Sequence, residues 1–169
     1  VREAIRKLEL EGLVVMLPRK GAYVANISVK DLMDVLEIRA SLEGLGASLA
    51  AERRTEEDIK NLEEIEEEFE QAVITQDIDM LLKKDIEFHE CIFKAANNKK
   101  LEKMINSLWE QVQRFRITYV SDSNASLSLI DEHRIILNAI KEGNVADGKK
   151  AAIEHIEKAE QFMLDHCTK

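Results

Sequence analysis

Four polar side chains fall on stripes that are otherwise apolar. Between residues 81 and 96 the stripe reads Leu81/Leu82, Asp85, His89, Ile92/Phe93, Ala96. Asp85 and His89 stand at i and i+4, so on a helix they project from one face a single turn apart. A second stripe reads Leu129/Ile130, His133, Ile136/Leu137, Ile140, and a third reads Ala151/Ala152, His155, Ala159, Phe162/Met163. Three of the chain's four histidines and one aspartate thus point inward, where a polar group costs free energy unless something satisfies it. Singly, an inward histidine is usually bonded to a neighbouring hydroxyl or carbonyl. Together, one carboxylate oxygen and three imidazole nitrogens suit a divalent ion such as Zn²⁺, Ni²⁺ or Mn²⁺, with positions left for a ligand or water. His166, on a stripe continuing from Phe162, reads as structural.

Two cations share the pattern. Arg39 stands between Val35/Leu36 and Leu42, one turn before Glu43. Beside a metal it is a bidentate partner for a carboxylate ligand; the alternative is a buried ion pair with Glu43 or Asp85. Arg116, one turn after Val112 and one before Tyr119, is a second candidate of the same kind.

Helices must carry these stripes, and the composition supplies them. Of 169 residues 45% are hydrophobic and 34% charged, with one proline and six glycines, enough for a core beneath a soluble surface. No apolar run approaches the roughly 18–20 residues of a membrane span, which excludes a transporter. Cys91 and Cys167 are too few and too far apart for a disulfide framework and fit a reducing compartment. Ser28 and Asp31 open a first helix that runs to about Arg54, and Thr55 to Asp58 cap a second, ending near Thr75. A third spans from Asp77 to Asn97–Asn98 and a fourth from Lys100 to Val120. Ser121–Ser126 reads as a polar loop, before a fifth helix over Leu127–Glu142 and a sixth after Gly143–Asn144. The fold class is all-α, a six-helix antiparallel bundle. The acidic run Glu63–Glu68 reads as a solvated face.

The net charge of −9 argues against a nucleic-acid partner only until it is divided along the chain. The first 25 residues carry five basic and three acidic side chains, a balance of +2, which leaves −11 on the rest. This segment opens in a helical pattern at Val1, which reads as a truncation. Gly12 closes the helix, Val14–Leu17 and Ala22–Ala25 read as short strands, and Pro18–Gly21 as the turn between them. Helix then basic-tipped hairpin is the second half of a winged helix-turn-helix. Arg2 and Lys20 would pair with phosphates, and Gly21 would let backbone approach a duplex. The plainer alternative is a solvated helix and an ordinary surface hairpin.

Specific motifs carry a family resemblance. Val1–Val14 and Pro18–Ala25 resemble the end of the DNA-binding domain of GntR-type transcription factors, where a recognition helix ends V-R-E-A-L-x-x-L-x-x-E-G-L before a wing with G-x-x-V. Glu37–Glu43 is similar to the E-x-R-x-x-L-E motif of the FCD ligand-binding domain of the FadR subfamily. Asp85–His89 is similar to its D-x-x-F-H, and Glu132–Ile140 to its E-H-x-x-I-x-x-A-I. The resemblance implies a remnant of the DNA-binding domain over residues 1–26 and an FCD-like domain over 27–169. It also implies a cytoplasmic homodimer on operator DNA that responds to a small carboxylate effector. Asp85, His89, His133 and His155 are then the metal ligands, and Arg2, Lys20 and Gly21 what remains of the DNA contacts. Six helices rather than seven look more like the VanR-type group than the acyl-CoA-binding members.

Two other readings compete. Asp/His₃ with an open position could activate water in a metal-dependent hydrolase, with Glu43 as its one candidate base. A dimerisation bundle with incidental histidines is the third.

Overall fold

The computed structural model describes residues 1–10, 13–24 and 28–167. Helix α1 (Arg2–Leu10) leads into an antiparallel hairpin of β1 (Val14–Leu17) and β2 (Gly21–Val24), and six helices follow: α2 (Val29–Arg53), α3 (Glu56–Thr75), α4 (Ile78–Ala95), α5 (Lys99–Val120), α6 (Ser123–Glu142) and α7 (Val145–Cys167). Gly12 and Ala25, assigned above to a helix cap and a strand end, lie outside the described residues, as does most of the link from the wing to α2.

The hairpin pairs Val14 with Val24 and Leu17 with Gly21. Pro18 presets the first corner of its turn, Arg19 takes a left-handed φ of 63°, and the Lys20 N–H donates to the Leu17 carbonyl at 3.1 Å. Gly21 has φ 99°, which only glycine adopts without strain, while the space around it is open. No residue of α1 is buried.

Each body helix starts at a residue that satisfies its free N–H groups. Ser28 with Asp31 and Thr55 with Asp58 form reciprocal capping boxes. Asp77, Asn98 and Asp122 cap α4, α5 and α6 through their side-chain oxygens. The polar loop expected over Ser121–Ser126 is therefore much shorter. Asp122 accepts from the N–H groups of Asn124 and Ala125 at 3.0 and 2.9 Å, and the helix begins at Ser123. Small polar residues that look like a loop are here a cap and a first turn. Helix α6 ends on Gly143 with φ 71°.

Helix α2 packs on α4, α5, α6 and, most extensively, α7. Its first half buries Leu32, Val35 and Leu36, and its second half turns inward small residues instead. Leu42 and Leu49 are half-buried, while Gly44, Gly46, Ala47, Ala50 and Ala51 face inward. The reason is distance between helices: a Cβ on Gly44 would lie 2.7 Å from Ile153 of α7, and one on Gly46 2.7 Å from Phe93 of α4. The core divides into an apolar cluster around Leu32, Leu36, Phe69, Leu129 and Ile156 and another around Ala47, Phe88, Ile136 and Ile140. A smaller one joins Phe93, Leu101, Ile105 and Trp109. Of the polar residues singled out above, Arg39 of α2, Asp85 and His89 of α4, Arg116 of α5, His133 of α6 and His155 of α7 are all buried, as a polar layer within the bundle.

Candidate metal centre

His89 of α4, His133 of α6 and His155 of α7 meet in that layer. Their ring centroids stand 5.1–5.6 Å apart, and one ligand atom from each lies within 4.8 Å of the other two. All three are buried, His133 completely. Each turns its Nδ1 to a glutamate: His89 to Glu43 at 3.2 Å, His133 to Glu66 at 3.2 Å, and His155 to Glu132 at 2.8 Å. A carboxylate behind a ring accepts from Nδ1–H, fixes the tautomer and leaves Nε2 with a free lone pair. The His133 Nε2 is buried without a hydrogen-bond partner. An orphaned acceptor at the centre of three such rings fits a cation there.

Asp85 stands one turn before His89, as its spacing requires. Its Oδ1 lies 3.6 Å from the His133 Nε2 and 4.0 Å from the His89 Nε2. Its Oδ2 accepts from the Arg116 Nε at 2.5 Å. Arg116 also lies over the Trp109 ring, 5.5 Å from its centroid. Arg39 donates to Glu43 Oε1 at 2.9 Å, the ion pair weighed as the alternative, yet its buried Nε has no partner. Both arginines line a small cavity of about 30 Å³ that also meets Asp85, His89 and His155. His166 is exposed and bonds the Phe162 carbonyl at 2.8 Å, apart from this layer.

The electrostatics follow from burial and pairing. Burial pulls His89 down to about 4 and His133 down to about 3, so both rings are neutral near pH 7, the form that binds a metal. Burial would raise Glu43, but the His89 ring and the Arg39 guanidinium hold its carboxyl below the usual range. Asp85 is held low in the same way by Arg116 and the two rings. Glu66 differs: burial, with Glu70 and Asp85 nearby, pushes it up to about 8. Glu43 accepts from Arg39 and Trp109 at Oε1 and from the His89 ring at Oε2, and a carboxyl held this far below its usual range is a weak general base.

Two members of this layer escaped the sequence reading. Glu66 belongs to the acidic run taken as a solvated face but is only 3% exposed. The signal was its place at i+4 from Leu62 and three before Phe69, both fully buried. Glu132 directly precedes a ligand candidate, bonds His155 across helices and holds Lys158 at 3.1 Å.

Residues 34–158 match the FCD domain. The chain belongs to the FCD family. Like the family's GntR-type members it is a transcriptional regulator and not an enzyme. It is 30% identical to the HTH-type transcriptional regulator LutR of Bacillus subtilis, over 96% of this chain and 83% of the relative. It is also 30% identical to the Uxu operon regulator of Haemophilus influenzae, over 98% and 67%. The FCD fold recurs in Escherichia coli McbR/YncC at a TM-score of 0.89 and 21% identity, over 98% of this chain and 84% of that one. Among the described residues no helix is long and apolar enough to cross a membrane.

Proposed function

We propose that this chain is a one-component regulator whose helical domain holds a divalent ion and senses a small organic acid. His89, His133 and His155 would hold the ion with Asp85. The observation that carries this is the set of three buried rings, each backed by a carboxylate, around the unpartnered His133 Nε2.

Charge balance argues for an acid. Arg39 is matched by Glu43, Arg116 by Asp85 and Lys158 by Glu132. The buried His89 and His133 rings are neutral, and Glu66 is mostly protonated at neutral pH. A divalent ion leaves this layer positive, and an anion offsets part of that excess in a site where unmatched charge is costly. A bound ion would supply a Lewis acid for carboxylate oxygens. Arg39, with its free Nε, and Arg116 would hold the rest of the acid's polar end.

The response follows from helix placement. The layer draws on all six body helices, and α2 begins one short link after the wing. An acid that fits one arrangement of these helices better than another shifts the position of residues 1–26 relative to 27–169, and only that differential affinity moves DNA binding. Arg2 and Lys20 would contact phosphates and Gly21 would sit against the duplex, in a cytoplasmic homodimer on a two-fold operator. The relatives named as operon regulators support this reading.

Metal analysis of protein purified without chelator tests it, with His89→Ala alongside. One equivalent of Zn²⁺, Ni²⁺ or Mn²⁺ in the wild type and none in the variant is expected; a metal-free wild type overturns the proposal.

A further inference from the structure

Arg116 belongs to two places at once. It lines the small cavity beside His89 and His155, giving its Nε to Asp85 Oδ2 at 2.5 Å and its Nη2 to the Asp85 carbonyl at 3.3 Å. It also lines an open groove of about 500 Å³, together with Ile86 and Glu90 of α4 and Trp109 and Gln113 of α5. Leu13, at the foot of β1, lines the same groove. Leu13 is half-buried, whereas no residue of α1 is buried, so this groove is a seat where the basic front rests on the helical body. Trp109 ties the groove to the polar layer a second time. Its indole N–H donates to Glu43 Oε1 at 3.0 Å, and Glu43 in turn bonds the His89 ring. The Arg116 guanidinium lies 5.5 Å over the Trp109 ring.

We propose that Arg116 is the positioning residue that carries the state of the metal centre to Leu13 and so to the basic front. The proposal rests on the metal-holding reading above and supplies a route for its response besides the link before α2. An ion and Arg116 compete for one carboxylate. Asp85 is a ligand candidate through Oδ1, 3.6 Å from the His133 Nε2, and holds Arg116 through Oδ2. A divalent charge taken up by Asp85 leaves the guanidinium less neutralised. Such a guanidinium demands water, and an apolar side chain seated in the same groove excludes it. Leu13 is therefore held better in the metal-free protein than in the loaded one. By reciprocity, whatever unseats Leu13 tightens the ion. A half-buried leucine is worth about fivefold in an equilibrium, which caps the coupling.

Competition with a chromophoric chelator gives the Zn²⁺ affinity of the full chain, of Leu13→Ala, of Arg116→Gln and of the double variant. Leu13→Ala should tighten Zn²⁺ about two- to fivefold. In the Arg116→Gln background the same substitution should leave the affinity unchanged, which isolates the pair. Trp109 is the chain's one tryptophan, so its fluorescence reads the groove directly. Zn²⁺ should raise acrylamide quenching of Trp109 in the wild type toward the level of metal-free Leu13→Ala, and should not do so in Arg116→Gln. Three results overturn the proposal and leave the metal-holding reading standing: unchanged or weaker Zn²⁺ binding in Leu13→Ala, an equal gain in both backgrounds, or wild-type quenching indifferent to Zn²⁺. The quenching of the wild type decides even where Arg116→Gln fails to fold. A wild type that binds no Zn²⁺ overturns the metal-holding reading, and the proposal with it.

Discussion

Glu66 and His133 stand 67 positions apart in the chain, and the structure sets the Glu66 Oε2 3.2 Å from the His133 Nδ1. The pair joins α3, which offers no ligand candidate, to the centre of the polar layer. His133 also stacks on Phe88, centroids 4.2 Å apart and planes 15° apart, so its ring is held by a carboxyl behind and an aromatic face beside it.

Glu66→Gln should weaken Zn²⁺ binding about tenfold to a hundredfold, the usual effect of losing a carboxylate behind a metal-bound imidazole. Competition with a chromophoric chelator measures it. The metal-free variant should melt no lower than wild type, because burial already pushes Glu66 up to about 8 and favours its neutral form. Unchanged Zn²⁺ affinity would remove Glu66 from the site.

Removing the ion should lower the melting temperature by mass action. At a free Zn²⁺ concentration about a hundred times Kd, binding adds about 2.7 kcal/mol. For a chain of this size that is about 5–10 °C. Differential scanning calorimetry with and without EDTA reads it, and equal melting in both would falsify the ion's structural contribution.

Gly46→Ala should destabilise the fold even though alanine is the better helix former. The added Cβ would lie 2.7 Å from the Phe93 ring edge, and Phe93 is 2% exposed against Trp109 and Ile105. Overpacking of this kind costs about 1–3 kcal/mol, against a propensity gain of about 1 kcal/mol. Urea denaturation should show a lower midpoint at unchanged slope; a higher midpoint would mean the ring shifts freely.

Cys91 should alkylate slowly. It is 7% exposed, and burial, with Asp58 nearby, pushes its thiol up to about 11. At pH 8 the thiolate fraction falls about a hundredfold below that of a thiol titrating near its ordinary value. Iodoacetamide labelling followed by peptide mass mapping should show Cys91 protected in buffer, faster as pH rises toward about 11, and reactive in urea. Rapid labelling at pH 8 in buffer would contradict that burial.

Much of the fold was legible along the chain because its signals are local. Ser28/Asp31 and Thr55/Asp58 announce helix starts through side chains that bond backbone three residues away. The stripes around Asp85, His89, His133 and His155 announce which way those side chains face, since a helix repeats its face every three to four residues. Where local signals have two meanings the reading slipped. Ser123–Ser126 is polar enough for a loop but is the first turn of α6, because Asp122 satisfies its N–H groups.

What the sequence determined by itself is therefore the set of helices, the split of charge between a basic front and an acidic body, and the inward direction of three histidines and one aspartate. Only the tertiary structure decided which glutamates stand behind the rings, and that the second half of α2 buries the small residues Gly44, Gly46 and Ala47. Both depend on how closely helices far apart in the chain approach. Spacing along one helix fixes a direction, but the atom waiting in that direction belongs to another helix, and packing alone brings it there.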